Sequence, residues 1–108
     1  MGQALGQVGS DLSLEEGVEA ARKVALSMLG TLQRELGELN KIKQWVKVLG
    51  MVNSAPGFTG QTAVINGFSN TVIDIFGKEK GLCARSAVGM AGLPFGMPVE
   101  VEAELELY

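Results

Sequence analysis

The chain has no histidine and only one cysteine in 108 residues. Without histidine, Ser–His–Asp triads, Cys–His dyads and His-built metal centres are excluded. One cysteine can make neither an intrachain disulfide nor a thiolate zinc site. A lone thiol is the usage of a reducing compartment. The opening MGQALGQVGSDLS lacks the basic stretch and apolar core of a secretory leader. No run approaches the ~18–20 apolar residues that span a bilayer. A cytoplasmic protein making no membrane contact is therefore expected. Positive charge is scarce as well: nine Lys+Arg face twelve Asp+Glu, for a net charge of −3, and the basic residues gather only at Lys41, Lys43 and Lys47. Nucleic acid requires a concentrated positive face, so it is not an expected partner. The glycine-rich stretches lack the strand–GxGxxG–helix context of a dinucleotide site. No cofactor and no metal is expected. Any chemistry falls to carboxylates, Arg, Lys, Tyr, hydroxyls, backbone groups and water.

What is present suits one small domain covering residues 1–108. Hydrophobic residues make up 46% of the chain. That is rich for a chain of this size, and it implies that a second subunit covers some of the apolar surface. Residues 1–11 read as a flexible or short extended lead-in, with the extended piece around Ala4–Val8. Ser13-Leu14-Glu15-Glu16 is a capping box, in which the Ser13 hydroxyl accepts from the Glu16 amide and Glu16 reaches back. Apolar residues at 14, 18, 21, 25, 28, 29, 32 and 36 keep helical spacing, which predicts a helix over 14–36 ended by Gly37. Gly17 and Gly30 within it suggest close packing on a sheet.

After a polar turn at Glu38–Lys41, Ile42–Asn53 reads as a strand. Its alternation puts Val46, Val48, Gly50 and Val52 on one face, and Trp45, Leu49 and Met51 on the other. A second helix starts near Thr59–Thr62 and ends at Gly77, with Val64, Ile65, Phe68, Val72, Ile73 and Phe76 inward. Lys78–Gly81 is a charged connector and Leu82–Met90 a strand. Gly92–Pro98 holds several turn signals around Phe95. Val99–Leu107 then alternates strictly. The order αβαββ implies an α+β two-layer sandwich, with a mixed sheet and two helices packed on one face.

Within Cys83–Tyr108, Arg85 is a lone cation in a small, apolar run. Such a guanidinium takes either a structural ion pair with one of the four C-terminal glutamates or a ligand's carboxylate or phosphate. Glu100, Glu102, Glu104 and Glu106 share one face, which is ordinarily a solvated one. Cys83 has no base beside it in sequence and reads as a small packed hydrophobe. Trp45 reads as core. Phe95 sits on a Gly/Pro turn and is a candidate pocket wall.

Several stretches together carry a family resemblance. Val48-Leu49-Gly50-Met51-Val52-Asn53, Val64-Ile65-Asn66-Gly67-Phe68-Ser69, Ala84-Arg85-Ser86-Ala87-Val88, Leu93-Pro94 and Val99-Glu100-Val101-Glu102-Ala103 resemble, in order and spacing, the RidA (YjgF/YER057c/UK114) family. Within it the chain is most similar to the branch termed endoribonuclease L-PSP-like. The likeness runs from about Asp11 to Leu107.

The resemblance implies a chorismate-mutase-like (RidA-like) fold and a homotrimer with ligand clefts between subunits. It further implies hydrolytic deamination of reactive enamine or imine acids to 2-keto acids and ammonia. In that reading Arg85 binds the substrate's small carboxylate, and Glu100 is the catalytic group holding the attacking water. Asn66 lies near the cleft in that reading, or is otherwise a solvent-facing helix residue. Ser86 is either a donor to the carboxylate or a structural strand serine, and Phe95 is a candidate pocket wall. The alternative is a non-catalytic trimeric module that binds small carboxylate metabolites or a protein partner. Family members begin with two further strands carrying a Ser-Gly-Gln type turn, so the resemblance implies a truncated product, a fragment or a shortened paralogue, with an exposed sheet edge where that strand pair is absent. Two positions depart from the family: Cys83 stands where proline is frequent, and Ala87 where some deaminases carry cysteine.

Overall fold

The structure is a computed structural model that describes residues 5–108. Helix α1 (Leu14–Leu36) starts at the capping box. Ser13 Oγ accepts from the Glu16 amide at 3.1 Å, and Glu16 Oε1 accepts from the Ser13 amide at 2.9 Å. Gly37, at φ 87°, ends the helix in a backbone region that favours glycine. Strand β1 (Ile42–Asn53), helix α2 (Gln61–Phe76), the one-turn helix α3 (Lys78–Gly81), strand β2 (Ala84–Met90) and strand β3 (Val99–Leu107) follow. Lys78–Gly81, expected as a plain connector, closes a helical turn through Gly81 N–H to Gly77 O and Leu82 N–H to Lys78 O. β2 begins at Ala84 rather than Leu82, because Leu82 caps that turn and is exposed.

The sheet order is β2-β1-β3, with β1 parallel to β2 and antiparallel to β3. A parallel pair needs a crossover, and α2 supplies it. Both long helices lie against one face, giving the expected α+β two-layer sandwich with a mixed sheet. The core joins Ala21, Ala25 and Leu29 of α1, Val64, Ile65, Phe68 and Val72 of α2, and Ile42, Trp45, Val48, Val52 and Val99 of the sheet. Trp45 packs edge-on against Phe68, with ring centroids 6.1 Å apart. Its indole N–H is buried with no hydrogen-bond partner among the described residues.

One expectation is corrected inside β1. Simple alternation sets Trp45 opposite Val48, Gly50 and Val52, yet all four are buried on the helix side. The pairing with β3 slips between Ile42 and Gln44 and again between Trp45 and Lys47. An extra residue in one strand reverses the side-chain phase. The second slip therefore turns Trp45 inward and leaves Val46 exposed.

Small residues set the spacing of the layers. A side chain at Gly50 would meet Ile65 at 2.6 Å, and one at Gly67 would meet the Val18 carbonyl oxygen at 2.2 Å. Gly17 gives room to Val8 and Val64 rather than to a sheet strand, and Gly30 lies beside only Arg34. The lead-in is docked at its far end. Val8 is fully buried, its N–H donates to Asn53 O at 2.8 Å, and it accepts from the Ala55 amide at 3.0 Å. Ala4 lies outside the described residues.

Candidate functional site

Arg85 lies on β2, an edge strand of this sheet, opposite Val48 in the register. Val48 is buried against the helices, so Arg85 shares the helix side. It meets α2 there. Nη1 donates to Asn66 Oδ1 at 2.8 Å and to Ser69 Oγ at 3.1 Å. Asn66 and Ser69 are three residues apart and so lie on one helix face. Both acceptors take the same guanidinium nitrogen. No carboxylate pairs with Arg85 among the described residues, where the ion pairs are Arg22–Glu19 and Lys43–Glu106. The structural ion pair with a C-terminal glutamate is therefore not formed. β3 lies on the far side of β1, and its glutamates point away from the helices. The result is a half-buried cation held on one flank by neutral oxygens, an arrangement that suits an incoming carboxylate.

The other candidates are distributed around this cation. Ser86 pairs with Leu49, which pairs in turn with Glu102, and lies on the face opposite Arg85. Glu100 pairs with Met51, is exposed and occupies that same open face. One chain thus brings Arg85 and Asn66 together and keeps Ser86 and Glu100 apart from them. Ser69 completes the Arg85 cluster and was not singled out from the sequence. The available signal was its spacing of three from Asn66.

Cys83 is half-buried and packs against the core. Burial pushes its thiol pKa up, and the nearby Arg85 charge opposes this more weakly. That direction describes a packed thiol rather than a nucleophile. Among the described residues no group of three or more His, Cys, Asp or Glu stands close enough to hold a metal ion. No helix among them is long and apolar enough to cross a membrane.

Phe95 is 92% exposed and sits at φ 59°, ψ 19° in the Pro94–Gly96 turn. It is the one non-glycine residue with positive φ among those described. The left-handed region is costly for a bulky side chain and occurs chiefly where function or surrounding contacts require it. Surrounding contacts are evident here. Gly6 N–H donates to Gly96 O at 2.8 Å, Asn53 Nδ2 donates to Met97 O at 3.2 Å, and Gln7 Nε2 reaches Ala91 O at 3.2 Å. The turn is pinned on both sides and its aromatic ring projects outward.

Among known proteins, the chain is 48% identical over 102 residues to Protein TCP17 of Trypanosoma cruzi, covering 94% of this chain and 64% of that protein. Among solved structures it superposes on Atu1372 of Agrobacterium tumefaciens, a protein of unknown function, with a TM-score of 0.92 and 41% identity, covering 95% of this chain and 66% of that one. It also superposes on a candidate endoribonuclease from Shewanella oneidensis MR-1 with a TM-score of 0.90 and 29% identity, covering 95% and 68%. No protein-family model matches the chain. The chain spans about two-thirds of the length of these relatives. Its fold is the RidA/L-PSP-like α+β sandwich that the sequence resemblance implied.

Proposed function

We propose that the chain forms part of a RidA-like hydrolase that converts reactive enamine or imine acids to 2-keto acids and ammonia. The observation that carries this reading is Arg85, a half-buried guanidinium fixed by Asn66 and Ser69 with no carboxylate partner among the described residues. In this reading the guanidinium clamps the substrate carboxylate. Water adds to the iminium carbon, and Glu100 of a neighbouring copy takes its proton. The resulting carbinolamine collapses, its C–N bond breaks, and ammonia departs as the keto group forms. The electrophile is already activated, so the reaction needs no strong nucleophile. Phe95 lines the cleft mouth.

Assembly is part of the same proposal. The sheet face away from the helices carries Leu49 and Met51, with Val88 at 39% and Met90 at 37% exposure beside them. Packing three such faces together would bury this apolar surface, and the reading further requires Glu100 of one copy to reach Arg85 around the β2 edge of the next. The test is release of ammonia or keto acid when 2-iminobutanoate is generated in situ. The wild-type chain is expected to exceed the buffer rate and Arg85→Ala to fall back to it. Equal rates for wild type, Arg85→Ala and buffer sink the enzyme reading.

A second reading is a trimeric binding module without turnover. The observation favouring it is the separation of Arg85 and Glu100 onto opposite faces of one chain. Arg85-dependent thermal stabilisation by 2-keto acids, without ammonia release, selects it. Ribonuclease action is disfavoured by the net charge of −3 and the absence of histidine.

A further inference from the structure

The contact between α2 and Arg85 is made by neutral oxygens. Nη1 of Arg85 donates to Asn66 Oδ1 at 2.8 Å and to Ser69 Oγ at 3.1 Å. A guanidinium carries five N–H groups in one plane, two of them on Nη1. Two acceptors therefore occupy Nη1, while Nε and Nη2 make no hydrogen bond to the described residues. Nε–H and one Nη2–H run parallel along the remaining edge, which is the arrangement that a carboxylate accepts with both oxygens. The two acceptors stand on a firmly seated helix. Ile65 and Phe68, their neighbours in sequence, are fully buried. Gly67, between them, brings α2 directly against the Val18 carbonyl of α1. α2 is also the crossover that joins β1 to β2, the strand carrying Arg85.

We propose that Asn66 and Ser69 are positioning residues for Arg85: they orient its guanidinium through Nη1 without neutralising it, and so reserve the Nε–Nη2 edge for a ligand carboxylate. The inference rests on the reading of Arg85 as a carboxylate clamp. Two physical points carry it. An arginine side chain has many rotamers, and ordering it only when a ligand arrives costs affinity. Contacts made beforehand take that cost out of the binding step. The type of acceptor matters as much as its position. A carboxylate at either place would also hold the guanidinium, but it would compete with the ligand for the same charge. Amide and hydroxyl oxygens supply direction and leave the positive charge uncompensated. With Oδ1 and Oγ accepting from Arg85, the two residues act on the substrate through the guanidinium.

The test uses the intact chain with 2-oxobutanoate as the probe, calorimetry for affinity and a melting curve for every variant. Arg85→Ala sets the level of lost binding. Ser69→Ala should weaken binding about tenfold, the worth of one hydrogen bond to a charged group. Ser69→Thr keeps the hydroxyl and should restore most of that loss. Asn66→Asp separates positioning from mere support. It gives Arg85 an ionic partner, so it should melt no lower than wild type and yet bind about tenfold more weakly or worse. A purely structural pair would instead make affinity follow the melting midpoint. A crystal structure of the complex should place the two carboxylate oxygens on Nε and Nη2. Wild-type affinity in Asn66→Asp, wild-type affinity in Ser69→Ala, or carboxylate oxygens on Nη1 would each overturn this proposal while leaving Arg85 as the clamp. No binding by wild type, or equal binding by Arg85→Ala, removes the clamp itself and the proposal with it.

Discussion

The two faces of β1 are finished in different ways. Towards the helices, Trp45, Val48 and Val52 are buried, and Gly50 is hollow where Ile65 enters. The chain completes that face by itself. On the other face, Leu49 and Met51 lie between β2, with Val88 and Met90, and the glutamates of β3, and no helix among the described residues covers them. The first face uses rigid, branched or aromatic shapes and small-residue gaps. The second uses methionines, which adapt to whatever surface meets them. The first face therefore governs whether the chain folds, and the second is the one the proposed assembly would cover.

The largest expected effect tests the self-completed side. Gly67 lets α2 cross α1 so closely that an added methyl would meet the Val18 carbonyl oxygen. Backbone on both sides leaves nothing flexible to yield. Overpacking costs of about 1–3 kcal/mol oppose a helix-propensity gain near 1 kcal/mol, and the severity of this clash puts the former ahead. Gly67→Ala should lower the thermal midpoint by about 5–15 °C. An unchanged midpoint in a melting curve would show that the two helices slide freely.

The open face should respond differently. Met51 is the cross-strand neighbour of Glu100, so Met51→Lys places a cation beside a carboxylate in the isolated chain. Folding of that chain should change by no more than about 0.5 kcal/mol. Assembly should be lost, because a charge would be buried between copies. Light scattering should give the 11.4 kDa mass of one chain for the variant and a larger mass for wild type. A variant that keeps the wild-type assembly mass would show that another surface holds the copies together.

The contrast also marks what could be read from residues alone. The ends of α1 were legible because Ser13, Glu16 and Gly37 are local signals that act through their own backbone. The ends of α2 and β3 were legible from periodicity. The inward turn of Trp45 was not, because a slip against β3 depends on a strand more than fifty residues away. The separation of Arg85 from Glu100 was hidden for a related reason. Alternation shows which residues of one strand share a face, but the faces of two strands are matched only by their register. The Asn66–Ser69 pair was half legible: helical spacing joins the two residues, and only the crossover brings Arg85 to them.

A smaller effect concerns Cys83, on the helix side beside Arg85. Burial favours the neutral thiol, so its pKa in the folded chain lies above the ordinary value. The folded state then holds its proton to higher pH than the unfolded one. The associated stability is complete below the unfolded thiol's pKa and is lost as pH rises through the folded one. Iodoacetamide should alkylate the folded chain more slowly at pH 8 than the urea-unfolded chain, and Arg85→Ala should slow it further. Equal rates in folded and unfolded chains would contradict a buried thiol.

The smallest expected change is the one that separates strain from function. Phe95 contributes almost no burial, yet it holds φ 59° in a turn pinned by Gly6, Gln7 and Asn53. Asparagine tolerates that conformation better than a bulky aromatic does. Phe95→Asn should therefore keep or raise the thermal midpoint, by at most a few degrees for relief of about 1 kcal/mol. If the ring serves the Arg85 cleft, the same variant should lose the stabilisation that 2-keto acids give to wild type. A chain that melts higher and still responds fully to those acids would release Phe95 from the site and leave the turn's strain without a functional reason. A chain that melts higher and no longer responds would assign the strained ring to ligand binding.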